Sequence, residues 1–401
     1  MIYFDHNATS PLREGVADAM ARAQVELPGN PSSVHAAGRR ARAAVEDARE
    51  QVANFLAVLR EEIVFTSGGT EGDNLAVRSL AQAQGGASRG RRHVITSPLE
   101  HPAVGGAVDA LGEAGFAVTR LSVSARGEVT LEALTSVLRD DTALVSLALA
   151  NHELGNVYPI AALAQAAHAR GALFHTDAVQ AAGKRALDLG ALGVDAATIS
   201  AHKLGGPKAV GAVFVRRGLD LPPLLLGGHQ ERERRPGTEN VAGIVGFGVA
   251  CQLASEAQVA EEARVLALRQ RLERGLLSIE GARLFGVGDA GERLAGTTLV
   301  GFAGAPGQLV AIGLDLEGIC VSTGAACTSG SLKPSPVLLA MGFEPAVASE
   351  GVRISLGWNN TETEVDQLTA CIGSIVARVR GAAGPGLGVT PMASLSSGAR
   401  A

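Results

Sequence analysis

Residues 172–217 read ALFHTDAVQAAGKRALDLGALGVDAATISAHKLGGPKAVGAVFVRR. Three short apolar runs stand in this stretch: ALFHTD, AATISA and GAVFVRR. Each is too brief for a helix, and their Val, Ile and Phe content suits buried strands. The first runs straight into Asp177 and Gln180, the second into Ser200, His202 and Lys203. In an open α/β sheet, ligands bind beyond the carboxyl ends of the strands. The stretch therefore predicts a mainly parallel sheet with a site along its C-terminal edge.

Upstream, EIVFT (62–66), HVITS (93–97) and ALVSLAL (143–149) repeat the pattern, separated by helical periodicity, which fixes the class as α/β. Before them, Val45, Ala48, Val52 and Phe55 recur at helical spacing in residues 30–58, behind Ser and Pro start signals, and predict one long amphipathic helix. A second long helical run, from Asn240 to about Ile279, bridges to a smaller α+β domain. The expected division is a large domain over 14–255 and a small one formed by 1–13 with 256–382. The Gly/Ser/Ala/Pro stretch 383–401 has no periodicity and is expected to be a disordered tail.

The chain has 401 residues, 46% of them apolar, enough for a large core. With 35 basic and 40 acidic residues interspersed and a net charge of −5, no nucleic-acid surface is expected. No apolar run has the length of a membrane span, and the N-terminus lacks the pattern of a targeting segment. The four cysteines, Cys251, Cys320, Cys327 and Cys371, have neither zinc spacing nor the density of a disulfide framework, so a cytoplasmic protein is expected. Cys251 and Cys371 lie in apolar helical runs and read as small buried hydrophobes, while Cys320 ends a strand.

Three motifs carry chemistry. TSGGTEGDN (66–74) joins a strand to a helix through two glycines, a phosphate cradle of backbone N–H groups with the Ser67 and Thr70 hydroxyls, or a plain turn capped by Thr70. It is neither a Walker loop nor a dinucleotide turn. Asp177 suits either an N-cap or the partner of a protonated pyridine nitrogen. Lys203, set in a Gly-rich turn between apolar strands, has the desolvated setting that lowers a lysine's pKa for Schiff-base chemistry. A phosphate loop, an Asp for a ring nitrogen and a Lys for an aldehyde are what a pyridoxal phosphate enzyme must supply.

The stretches FDHNATSP, GNPSSVH, FTSGGTEGDN, EHPAV, HTDAVQAAGK, SAHKLGGPK, RRPGTENVAGIVG and STGAACTSGSLKPS together resemble the cysteine desulfurases of the class V aminotransferase-like family. The matches run in family order from residue 3 to about 358. The resemblance implies the type I pyridoxal phosphate-dependent transferase fold, that of aspartate aminotransferase, with a seven-stranded-type sheet in the large domain. It makes Lys203 the covalent anchor of the cofactor, Asp177 the partner of its ring nitrogen and Gln180 a donor to its phenolic oxygen, with Asn151 near that oxygen. Gly69, Thr70, Ser200 and His202 fall to the phosphate, as does Thr238, which would reach the other subunit's cofactor in a homodimer. His101 would stack on the ring and move protons. Arg353, helped by Asn7, would clamp the substrate carboxylate, a task suited to a planar fork.

On the same resemblance, L-cysteine gives up its sulfur to Cys327 as a persulfide and leaves as L-alanine, and the sulfur passes to an acceptor or an iron–sulfur scaffold protein. No resident metal is implied, a transient contact of Cys327 with an iron–sulfur cluster aside. The small, polar setting of Cys327, with Gly324, Ser329, Gly330 and Ser331, predicts a long mobile loop over about 320–335. The chain departs from the common pattern at NHELG, where His152 replaces a usual Asn, at STGAAC, where Ala325 replaces a Ser, and at TEGDN for TESNN. Two competing readings are a selenocysteine lyase or aminotransferase of the same fold, and a non-catalytic iron–sulfur scaffold using Cys320 and Cys327, whose spacing lacks a four-cysteine set.

Overall fold

The computed structural model describes residues 1–86, 90–286, 293–324 and 333–382. The strands follow the chain as β1 (Ile2–Tyr3), β2 (Ile63–Thr66), β3 (His93–Thr96), β4 (Ala117–Arg120), β5 (Thr142–Ser146), β6 (Leu173–Asp177), β7 (Ala196–Ser200), β8 (Gly211–Val215), β9 (Ala282–Phe285), β10 (Thr297–Phe302), β11 (Ile319–Cys320), β12 (Ser322–Thr323) and β13 (Val352–Ser355). Seven form one sheet in the order β2-β8-β7-β6-β5-β3-β4. Only β8 runs against the rest, pairing antiparallel with both β2 and β7. All six runs read as strands from the sequence are strands of this sheet. The seventh, β4, lies at the edge with exposed ends, so its AVTR lacks the apolar run of a strand buried on both faces.

Strand alternation sorts side chains between two packed layers. Val64, Val94, Leu144, Leu173 and Val213 face a core built with the helices Gly69–Gly85 and Pro102–Glu113. Phe65, Ile95, Val145, Phe174 and Phe214 face the other way, onto the helix Ala36–Leu56 and the first half of Val241–Leu277. The expected amphipathic helix is thus present, and its Val45, Ala48, Val52 and Phe55 are all buried in that core. His35 caps it, its ring nitrogen Nδ1 accepting from Gly38 N at 3.2 Å.

A second assembly has its own core. The antiparallel sheet β12-β13-β10-β9 packs with the helices Gly307–Leu316 and Glu362–Ala382, while β1 pairs in parallel with β11. The 37-residue helix Val241–Leu277, capped by Asn240, serves both cores. Its Ile244, Phe247, Ala250 and Cys251 lie in the first, and its Val265, Leu268, Leu272 and Leu276 in the second. The first core also takes in Phe285, Leu299 and Leu338 from the later part of the chain. Among the described residues, no helix is long and apolar enough to cross a membrane.

Candidate active site

Because β2, β3, β5, β6 and β7 point the same way, the segments leaving them converge on one edge of the sheet. At the end of β2 the chain passes Gly68, whose φ of +147° is rarely open to other residues, and enters the helix Gly69–Gly85 at once. Thr70 is therefore inside the first turn and does not cap it. Glu71 holds the loop: one of its oxygens accepts from Ser67 N at 2.8 Å and the other from Arg235 Nε at 2.8 Å. The first-turn N–H groups have no partner within the helix. Beside them lies Ser200 at the end of β7, and a Cβ placed on Gly68 would stand 3.7 Å from its Oγ.

That Oγ is buried and has no hydrogen-bond partner among the described residues. It opens on a concavity of about 340 Å³ that also meets Thr9, Thr70, His202 and Lys208. His202 Nδ1 pairs with Thr9 Oγ1 at 3.2 Å. Burial first, and the charges of Lys203, Lys208 and Lys184 next, lower His202 to about 4, so the ring is neutral at physiological pH. A helix N-terminus, an unspent hydroxyl and a nearby lysine make a site for a phosphate group.

A second cavity of about 220 Å³ shares Gly69, Thr70, Ser200 and His202 with the first and extends to Lys203, Asp177, Gln180, His101 and His152. Lys203 closes the single turn Ala201–Lys203, and its Nζ donates to the carbonyls of Asn7 at 2.6 Å and Ala8 at 2.8 Å. Burial and the charge of Arg353 lower this lysine to about 8, against the pull of Asp177 and Asp5. Asp177 accepts from Val179 N at 2.9 Å, and burial pushes its carboxyl upward, against Lys203. Asp73, the residue that replaces a common Asn, lines the same cavity. Its Oδ1 has no hydrogen-bond partner among the described residues, and burial together with Asp177 raises it well above the carboxylate range.

A polar network behind Gln180 and His152 is tied together by Lys184, a residue with no role assigned from the sequence. Its Nζ donates to Gln180 Oε1 at 2.7 Å and to Asn7 Oδ1 at 2.6 Å. Gln180 Nε2 donates to Asn7 O at 3.0 Å, so the amide is oriented with its nitrogen on the side of the first strand's outlet. Asn7 Nδ2 in turn donates to His152 O and to Thr297 Oγ1, each at 3.1 Å. Arg353, on β13, donates to Asp5 Oδ1 at 2.9 Å and to His152 O at 3.1 Å, and its Nε is buried with no hydrogen-bond partner among the described residues.

His101 caps the helix Pro102–Glu113, Nδ1 accepting from Ala103 N at 3.1 Å, so the neutral ring carries its proton on Nε2. His152 faces it edge-on, with ring centroids 5.5 Å apart. The side chain that the sequence left unplaced thus belongs to the cavity wall. Asn151, by contrast, is fully buried and bound to backbone on both ends. Its Nδ2 donates to Leu99 O at 2.9 Å, while Oδ1 accepts from Glu153 N at 2.9 Å and Leu154 N at 2.8 Å. Thr238 is exposed and outside both cavities. Cys327 and its loop lie outside the described residues. Cys251 is buried, and Cys320 and Cys371 are half-buried.

An amine of lowered pKa, a buried carboxyl and a phosphate cradle with an unspent hydroxyl share one space. This donor set fits a phosphorylated aromatic aldehyde with a basic ring nitrogen.

The Aminotransferase class-V family model matches residues 2–368. A cysteine desulfurase of Nostoc sp. is 44% identical over 384 residues, covering 95% of this chain and 94% of that protein. Cysteine desulfurase NifS of Azotobacter vinelandii is 42% identical over 380 residues, covering 94% and 93%. Among solved structures, a NifS-like protein aligns with a TM-score of 0.87 at 37% identity, covering 94% of this chain and 99% of that one. SspA in complex with cysteine aligns with a TM-score of 0.78 at 33% identity, covering 90% and 100%.

Proposed function

The chain belongs to the class-V aminotransferase family, among its cysteine desulfurases, and from that premise we propose how its residues share the work. The enzyme mobilises sulfur from cysteine. Pyridoxal phosphate is the cofactor, with its phosphate on Gly69, Thr70, Ser200 and His202, its ring nitrogen on Asp177 and its aldehyde on Lys203. The observation carrying this is the buried, unpartnered Ser200 Oγ beside a helix N-terminus, in the same space as Lys203 and Asp177. When bound, the cofactor supplies the electron sink that lets the substrate's Cβ–S bond break with its electron pair left on the carbon side.

The remaining steps belong to the chain's own groups. Lys203, lowered to about 8, exists partly as the free amine near neutral pH and moves a proton at Nζ. His101 offers an N–H at Nε2. Arg353 takes the substrate carboxylate, its buried Nε being unspent, and Asn7 stands beside it. Gln180 turns its amide nitrogen to the cofactor's phenolic oxygen. Cys327, as thiolate, forms a bond to the substrate sulfur and becomes a persulfide while L-alanine leaves. The persulfide then serves a sulfur-acceptor or iron–sulfur scaffold protein in the cytoplasm. Thr238, being exposed, reaches a second copy's cofactor in a homodimer. Residues 14–255 form the domain that binds the cofactor, and 1–13 with 256–382 the one that carries Arg353.

Mass spectrometry after treatment with L-cysteine tests the nucleophile. One added sulfur on Cys327 is expected, together with equimolar alanine. Cys327→Ser should keep the cofactor's visible band and lose both products. Persulfide formation by that variant would overturn the assignment.

A further inference from the structure

Residues 230–238 form a turn that none of the roles above explains. Glu231, Arg232 and Glu233 stand at φ of +47°, +57° and +66°, three successive non-glycine residues in the left-handed region. Such backbone persists only where the surroundings over-determine it, and it gathers at functional positions. Here two carboxylate–arginine pairs hold it. Arg49 donates from Nη1 and Nη2 to the two oxygens of buried Glu231, at 2.7 and 2.8 Å, and Phe65 N donates to the same carboxylate at 2.8 Å, which ties the turn to β2. Arg235 donates from Nε and Nη2 to the two oxygens of Glu71, at 2.8 and 3.3 Å. Gly237 N donates to Gln230 Oε1 at 3.0 Å and closes the turn on itself.

Thr238 is the residue these bonds deliver. It follows Arg235 by three positions and precedes Asn240 by two, and the Asn240 side chain accepts from Gly243 N at 3.1 Å to start the helix Val241–Leu277. Thr238 is thus fixed on both flanks, yet it is exposed and lines neither cavity of its own chain. Just before the turn, Leu225 and Leu226 are 53% and 93% exposed, an adjacent pair of apolar side chains for a second copy to cover. Gly227 beside them packs on the turn, where a Cβ would stand 3.0 Å from Pro236. A segment held this firmly, with its tip outside its own site, is suited to serve another chain.

We propose that Arg235, held by Glu71, is a positioning residue for the second subunit's cofactor site: it fixes the turn that presents Thr238 to that subunit's phosphate. The cradle of its own subunit does not depend on it, because Glu71 keeps the bond from Ser67 N when Arg235 is removed. Loss of Arg235 is therefore felt across the dimer and not in the subunit that bears it.

The inference rests on the homodimer reading of Thr238. Hybrid dimers of differently tagged subunits test it. Pyridoxal phosphate is titrated into apo hybrids in which one subunit carries Lys203→Ala, so that the visible band of covalently held cofactor reports the other site alone. With Arg235→Met on the subunit that keeps Lys203, affinity should stay within about 2-fold of the hybrid lacking it, the size of an uncoupled change. With Arg235→Met on the Lys203→Ala subunit, it should fall about 10-fold, the lower end of one hydrogen bond to a charged group. Arg235→Lys, which keeps the charge and loses the fork, is read in the same way where the methionine variant does not assemble. The reverse pattern, equal losses in the two hybrids, or no loss in either would overturn the proposal. Thr238→Ala in the same hybrids checks the premise. If it causes no loss from the Lys203→Ala subunit, or if the chain forms no dimers, the homodimer reading itself falls and the proposal with it.

Discussion

The cavity and the polar network that reaches it through Gln180 and His152 are built on different plans. The cavity forms where the strands of a single sheet give way to the next segments, and there polar atoms are left over: Ser200 Oγ and Asp73 Oδ1 are buried with no hydrogen-bond partner among the described residues. The network brings Asp5, Asn7, Lys184, Thr297 and Arg353 together across as many as 348 positions of chain, and there most polar atoms are bound to one another. The cavity leaves polar atoms for a ligand, whereas in the network Lys184 and Thr297 brace Asn7. Substitutions of similar size should therefore register as lost binding on one side and lost stability on the other.

The largest effect is expected at Lys203. Lys203→Ala should leave no covalently held cofactor after borohydride treatment, and turnover should fall below detection. The fold should survive, since among the described residues Nζ is bound only to the carbonyls of Asn7 and Ala8. Circular dichroism and thermal melts check this, and a collapse of the fold would blur the contrast between cavity and network. Next, Lys184→Met strips the donor from Gln180 Oε1 and leaves Asn7 Oδ1 with the long bond from Thr297 Oγ1 at 3.4 Å. A buried acceptor left without a donor costs about 1–3 kcal/mol, so a loss of about 1–3 kcal/mol is expected in denaturant unfolding of the apoenzyme. An unchanged midpoint would mean that the network is not held by this lysine. The smallest change in the fold is expected for Ser200→Ala. Apoenzyme stability should move by less than about 0.5 kcal/mol, because no protein partner is lost. Pyridoxal phosphate should bind about 10–100-fold more weakly, the worth of one hydrogen bond to a charged group.

The same contrast explains what was legible in the sequence. Strands buried on both faces must be apolar throughout, so β2, β3, β5, β6, β7 and β8 stand out, and the residues following them form recognisable motifs. The edge strand β4 is half-exposed and carries no such run. Lys184 was quoted within a motif yet had no visible role, because its partners Gln180 and Asn7 meet only through a contact spanning 177 positions. His152 could be seen as a departure in the sequence, but whether it faced the cavity depended on the turn that Asn151 ties to Leu99, Glu153 and Leu154. The only signal for Asp73 was an acid in place of an amide. Its burial beside Asp177 came from the packing of its helix over β7.

The helix Val241–Leu277 has a mechanical meaning beyond its place in two cores. At about 1.5 Å per residue it is a rod of roughly 55 Å, and neither core can melt without stripping the packing from half of it. Calorimetry of the apoenzyme should accordingly record one cooperative endotherm, with the two assemblies unfolding as a single unit.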